Sequence, residues 1–216
     1  MKSVFITIEG CDGCGKSTFT RKLSQLLSSY GYKVVETCEP GGTSFGKDVL
    51  ALCKNYPDIL TPQVETMLMS TARRWHCESI ISPAISSSTE DTPTIVLCDR
   101  YLISNLVYQG ILGGQDVGEI IEENDRQNIR MPDLNIFLDV SPKVCKERMQ
   151  RDDRGDDRWD SLSMDKQQII YDGFKQINRI MYSCHLLPTL TIDSEHLPLE
   201  TCVEMAGKMI EEMVGV

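Results

Sequence analysis

No stretch of this chain approaches the ~20 consecutive apolar residues that a membrane span requires. The apolar-rich region around Ile80–Ile85 is interrupted by Ser82 and Pro83, which excludes a helical membrane protein. An excess of positive charge is also missing. The chain has 22 Lys and Arg against 32 Asp and Glu, a net charge of −10. A global basic field for nucleic acid is therefore absent, and any anionic ligand must be held by local Arg and Lys. The first residues carry no basic n-region and no signal-peptide h-region, which predicts a cytoplasmic protein. Neither an internal repeat nor a dividing linker is visible, so residues 1–216 are expected to form one domain. Cysteine is not scarce, but its nine residues are scattered without paired metal spacing. Cys11 and Cys14 form a C-x-x-C only inside a glycine loop. The count reads as reduced thiols rather than as a zinc site or a disulfide framework.

What the chain does contain begins at once. Residues 10–17 are Gly10-Cys11-Asp12-Gly13-Cys14-Gly15-Lys16-Ser17, the G-x-x-x-x-G-K-[ST] pattern of a phosphate-binding P-loop. A β-rich apolar run, Val4–Ile8, precedes it. Phe19, Leu23, Leu26, Leu27 and Tyr30 follow at helical spacing. The chemistry needs this order of strand, glycine loop and helix. Glycine lets backbone N–H groups close around phosphate oxygens, and the helix N-terminus adds positive potential. Lys16 can reach the β- and γ-phosphates, and Ser17 can ligate Mg²⁺. Cys14 lies beside Lys16 and a helix N-terminus, a setting that lowers a thiol's pKa.

Further apolar runs, Lys33–Thr37, Thr94–Cys98, Leu134–Val140 and Leu190–Ile192, alternate with helical stretches. Alternation predicts an α/β fold, a parallel sheet with helices on both faces. Ligands in such sheets bind beyond the strand C-terminal ends, where Asp12, Glu39, Asp99 and Arg100 fall. Thr61-Pro62 reads as an N-cap with Pro at the first helical position, opening a helix that runs to Ser82, before Pro83. Residues 152–158, Asp-Asp-Arg-Gly-Asp-Asp-Arg, have no hydrophobic period and read as an exposed, mobile segment.

Four constellations bear on chemistry. Asp99 closes a strand facing the P-loop, so it can hold Mg²⁺ directly or through water, and Arg100 can bind phosphate bidentately. Tyr101, Asn105 and Tyr108 share a face if their segment is helical. That face offers an amide for a base edge and two phenols for a sugar or ring; an ordinary half-buried amphipathic helix fits the spacing equally. Met69, Arg73 and His76 share a face in the same way, and there spacing alone favours a core-facing Met with a solvated Arg. Arg148, Arg151, Arg154 and Arg158 crowd an acidic segment. The P-loop itself holds no Arg, so a mobile lid over about 148–160 that bears these arginines can supply the missing cation.

These residues resemble one family, the thymidylate kinases of the nucleoside monophosphate kinase group. Ile8-Glu9-Gly10 through Ser17-Thr18 is similar to its P-loop, and Glu39-Pro40-Gly41-Gly42-Thr43 to its E-P-G-G-T loop. Arg73 to His76 with Pro83-Ala84 fits its R-x-x-H…P-A helix. Asp99-Arg100-Tyr101, Ser104 and Tyr108-Gln109-Gly110 resemble its D-R-Y segment. Pro132-Asp133-Leu134 with Leu138-Asp139-Val140 looks like its P-D-L…L-D-V strand. Arg154-Gly155 and Asp157-Arg158 are similar to its lid.

The resemblance implies a P-loop NTPase three-layer fold with five parallel strands and a short mobile lid. It implies ATP + dTMP → dTDP + ADP with Mg²⁺, and a homodimer with the helix from Thr61 in its interface. Residues 10–18, Thr18 included, would hold ATP, with Arg148 near the adenine. Lys16, Asp12, Arg154 and Arg158 would be catalytic. Glu39, Met69, Arg73, Asp99, Arg100, Asn105, Tyr108 and Gln109 would form the dTMP site, with Ser17 and Asp99 at the metal. Arg73 and Asn105 would read the thymine edge, and Tyr108 would sit against the deoxyribose. Met69 stands where the family usually has an aromatic, Cys38 where it usually has Arg, and Asp160 where it usually has Glu. A register slip of one would put Ser70 and Arg74 in the places of Met69 and Arg73. The runner-up acceptor is another pyrimidine monophosphate such as dUMP or UMP. The alternative of a different class is a P-loop switch protein.

Overall fold

The computed structural model describes residues 2–56, 59–89, 92–151 and 162–215. Five strands form one sheet in the order β2-β3-β1-β4-β5, and every pairing is parallel. They are β1 (Val4–Glu9), β2 (Lys33–Cys38), β3 (Thr94–Asp99), β4 (Leu134–Asp139) and β5 (Thr189–Asp193). Each predicted strand is present, longer by a residue or two or shifted by one at an end. All six residues of β1 are buried. Successive strand residues face opposite sides, so burial of all six means cover on both faces.

The helices are α1 (Lys16–Ser29), α2 (Ser44–Asn55), α3 (Pro62–His76), α4 (Ser82–Ser86), α5 (Leu102–Asn105), α6 (Val117–Arg126), α7 (Pro142–Arg151), α8 (Met164–Ser183) and α9 (Leu199–Gly215). Phe19, Leu23 and Leu27 of α1 are fully buried. Each such side chain stabilises the fold by about 2 kcal/mol through apolar burial. Helix α1 packs on α9, and α8 packs on the segment Leu106–Leu112. At that crossing a Cβ on Gly173 would come within 3.2 Å of Ile111, so glycine permits the close approach.

Thr61 caps α3 as its spacing predicts, accepting from the Val64 N–H at 3.4 Å, with Pro62 in the first turn. The expected stop before Pro83 is not found. A π-helical turn, Cys77–Ile81, follows α3, and Pro83 sits in the first turn of α4. In that turn the Ser82 N–H bonds Cys77 O, five residues back. The shifted ladder accommodates the proline's missing donor instead of ending the helix. A second π-helical turn, Leu106–Leu112, continues α5. One wide turn directly follows the helix of Met69 and Arg73, and the other carries Tyr108 and Gln109.

Candidate active site

The loop between β1 and α1 is built on left-handed glycines: Gly10 (φ 149°), Gly13 (φ 81°) and Gly15 (φ 102°). A Cβ at Gly13 would meet Cys145 O at 2.5 Å, so backbone approach as well as φ requires glycine. Lys16 is buried, and its ammonium donates to the Gly10 and Cys11 carbonyls at 3.0 and 2.9 Å. These bonds cross the loop and hold the charge inside it. Ser17 Oγ donates to Asp99 Oδ2 at 3.2 Å. Asp99 Oδ1 is buried with no partner among the described residues. An orphaned carboxylate oxygen is costly, and together with the serine hydroxyl it offers a hard oxygen donor set.

The P-loop lines a cleft of about 520 Å³. Arg148 forms part of its far wall, donating to Cys14 O and Ser194 O, both at 2.9 Å. Met149, Arg151, Ser194, Leu197 and Leu199 line it as well. The residues from 194 on lie after β5 and were missed in the sequence, where no motif marks them. A second cavity of about 200 Å³ opens beside it, lined by Pro40, Leu50, Met69, Arg73, Ser104, Asn105, Tyr108 and Gln109 among others. Asp12, Glu39 and Arg100 line both.

At this junction Arg100 Nη2 pairs with Asp12 Oδ1, and Nη1 donates to Gly10 O and Ser104 Oγ. Tyr108 Oη donates to Asp12 Oδ2 at 2.8 Å. Burial alone would raise the Asp12 carboxyl. Arg100, Lys16 and the Tyr108 hydrogen bond outweigh it and hold Asp12 well below the usual carboxylate range. Burial pushes the Tyr108 phenol well above its ordinary value, so it stays a donor. Burial would lower Arg100, but Asp12 opposes this and keeps it charged.

Arg100 has φ 68°, a left-handed backbone that costs a non-glycine residue roughly 1–3 kcal/mol. Glu9 is the residue that fixes this turn. It is fully buried, its Oε1 accepts from the Tyr101 and Ser104 N–H groups, and its Oε2 accepts from Ser104 Oγ at 2.6 Å. Its only sequence signal was a carboxylate ending an otherwise apolar strand.

On α3 it is Arg73, not Arg74, that lines the second cavity. Arg73 is buried, its Nε donating to Glu39 Oε2 at 2.7 Å, whereas Arg74 is 37% exposed and pairs with Glu78. Met69 lines the second cavity as well. His76 is buried between Thr37 Oγ1 at 2.7 Å and Glu39 Oε1 at 3.0 Å, where it braces Glu39. Of the two tyrosines expected to face a ligand, only Tyr108 turns its hydroxyl to the site. The Tyr101 hydroxyl donates to Arg130 O at 2.8 Å, and its ring lies under Arg73 at 5.0 Å. The cause is local: residue 101 precedes the helix in an extended backbone (φ −160°) and escapes the helical spacing.

Cys14 also differs from expectation. It is fully buried, and burial raises its thiol, with Lys16 only partly opposing. Burial pushes Cys11 up to about 12. Arg154, Arg158 and Asp160 lie outside the described residues, as does the segment 152–158.

A glycine loop holding a buried lysine, opening into a second pocket of Arg, Asn and Tyr, defines a P-loop phosphotransferase with a separate acceptor site. Comparison with known proteins is specific. Residues 8–197 match the sequence profile of the family described as Thymidylate kinase. The chain is 33% identical to the thymidylate kinase of Caldicellulosiruptor saccharolyticus over 216 residues, covering 99% of this chain and 98% of that one. It is 31% identical to that of Bacillus cytotoxicus over 214 residues, covering 98% of each. The crystal structure of thymidylate kinase from Ehrlichia chaffeensis superposes with a TM-score of 0.73 at 27% identity, covering 97% of this chain and 99% of that one. The chain belongs to the thymidylate kinase family.

Proposed function

We propose that this chain transfers the γ-phosphoryl group of ATP to dTMP, giving dTDP and ADP, and that residues 1–216 act as one catalytic unit. The observation that carries this reading is the shared wall of the two cavities. Asp12 and Arg100 stand between the P-loop cleft and the acceptor pocket, where a donor and an acceptor phosphate would meet. ATP would occupy the loop of residues 10–18, with its base toward Arg148 and Leu197. The dTMP phosphate would take Arg100, the deoxyribose would lie against Tyr108, and the base would lie over Met69 toward Arg73 and Asn105.

No covalent intermediate is required. Alignment of the acceptor oxygen with the γ-phosphorus removes the entropic cost of encounter. Lys16 counters the charge that spreads over the transferring group. Arg100 and Lys16 hold Asp12 ionised, so it can orient the acceptor and hold Arg100. Ser17 and the orphaned oxygen of Asp99 fit Mg²⁺, which would neutralise phosphate charge when bound. A further cation from Arg154 or Arg158 is proposed from sequence.

A homodimer is proposed through α2 and α3. Phe45, Leu52, Val64, Met67 and Trp75 are exposed there, an apolar surface of the kind that marks interfaces. Light scattering on eluted protein should give twice 24.4 kDa; the monomer mass would refute the dimer. Nine free thiols support a reducing, cytoplasmic setting.

The deciding experiment is ADP release from Mg·ATP with dTMP, dUMP, UMP or no acceptor. Release that depends on dTMP and is weaker with dUMP and UMP is expected. Preference for another monophosphate would move the substrate. Release without any acceptor would overturn the kinase reading.

A further inference from the structure

The base end of the acceptor pocket is backed by a buried polar chain that ends outside the pocket. Arg73 Nη1 donates to Asn105 Oδ1 at 3.2 Å and to Asn124 Oδ1 at 2.6 Å. Asn124, on α6, donates through Nδ2 to Asn105 Oδ1 at 3.3 Å and to Ile120 O at 2.8 Å. Asn105 Nδ2 donates to Gln109 Oε1 at 2.9 Å, and Gln109 Nε2 to Glu65 Oε2 at 3.2 Å. All five side chains are buried, Asn124 at 1% exposure. Asn124 does not line the cavity, whereas Arg73, Asn105 and Gln109 do.

The direction of every bond is set by groups of one polarity. A guanidinium only donates, and a backbone carbonyl and a carboxylate only accept. Asn124 must therefore turn its oxygen to Arg73 and its nitrogen to Ile120 O. Its nitrogen then also meets the Asn105 oxygen. With Arg73 on the other side, both lone pairs of that oxygen are taken. At the far end, Glu65 fixes Gln109, whose oxygen takes one N–H of Asn105. Arg73 Nε goes to Glu39 and Nη2 to Tyr101 O. Among the described residues this leaves one N–H on Arg73 Nη2 and one on Asn105 Nδ2, and no acceptor on either.

We propose that Asn124 is a positioning residue that clamps Arg73 and Asn105 into this donor-only arrangement, so that the pocket selects a pyrimidine carbonyl over an exocyclic amino group. The inference rests on the pyrimidine monophosphate reading above and deepens it. A carbonyl at the base edge can accept both spare N–H groups. An amino group there places donor against donor and leaves buried groups unpaired, which is the strong way to reject an analogue.

The test is Asn124→Ala with Asn124→Asp beside it, reading kcat and KM for dTMP and dCMP, KM for ATP, and the melting curve. For Asn124→Ala we expect the dTMP KM to rise about tenfold and the dTMP-over-dCMP preference to fall about tenfold, the scale of one hydrogen bond to a charged group. The kcat for dTMP and the KM for ATP should stay within about threefold, because the transferring phosphate is untouched. Asn124→Asp keeps the acceptor for Arg73 and loses the donor to Asn105. It should recover most of the dTMP KM while the preference stays low. A folded Asn124→Ala with wild-type KM and preference overturns the proposal. So does a fall in kcat alone, equal for both acceptors, which is what a merely structural role would give. Should the alanine variant not fold, the aspartate variant decides by the same preference ratio. Wild-type enzyme without dTMP-dependent turnover would instead sink the proposed function, so the two failures are separable.

Discussion

Lys16→Ala is expected to lower kcat by about a thousandfold or more, the scale measured when a preorganised charge stabiliser is removed. The argument starts from where the ammonium is held. It lies inside the loop, on the Gly10 and Cys11 carbonyls, so no reorganisation is needed before it meets phosphate oxygens. Its burial matters as much as its charge, because a cation in a water-poor cleft acts at a low effective dielectric. The same two bonds brace the loop, so some loss of ATP affinity should accompany the loss of rate. Stopped-time assays of ADP and dTDP at saturating substrates will measure it. A variant that keeps more than about a tenth of the wild-type kcat would remove Lys16 from the chemical step.

Arg100→Ala should raise the dTMP KM by about 10–100-fold, the worth of one charge-assisted contact to phosphate. It should leave the KM for ATP near wild type. Two other effects of the change can be separated from this one. The left-handed backbone at residue 100 disfavours alanine as it does arginine, whereas Arg100→Gly relieves that strain. Equal rises in KM for both variants would assign the effect to the lost guanidinium. Asp12 also loses its ion-pair partner, but its side chain is 35% exposed. Water can then replace Arg100, so the change in melting temperature should be small. An unchanged dTMP KM would take Arg100 out of the acceptor site.

The same pair fixes a pH dependence. Asp12 has a lower pKa folded than unfolded. Its contribution to stability is therefore complete above the usual carboxylate range and is lost progressively as pH falls from that range to the depressed folded value. An acid limb of kcat/KM in the mildly acidic range would thus report another group.

The glycine loop, the buried strands and the residues at strand ends were legible because each is a local pattern. Three glycines, one lysine and one serine at fixed spacing specify a phosphate cradle wherever they follow a strand. Arg73 was legible only as one of two neighbouring arginines. Nothing in a helical period says which of two adjacent side chains faces inward until α3 is laid against β2 and α6. Pro83 misled because a proline normally ends a helix, and the preceding π turn cannot be seen in composition. Tyr101 lines the second cavity with Asn105 and Tyr108, but its hydroxyl turns away to Arg130 O because residue 101 precedes the helix.

Glu9 and Asn124 define the remaining boundary. The sequence by itself determined the fold class, the triphosphate loop and the family, since these rest on short contiguous motifs with one backbone solution each. Only the tertiary structure decided which side chains share a cavity, and that buried carboxylates and amides aim the arginines. Those roles come from hydrogen bonds between residues 32 to 95 positions apart, and a buried donor's partner is set by packing rather than by neighbours in the chain.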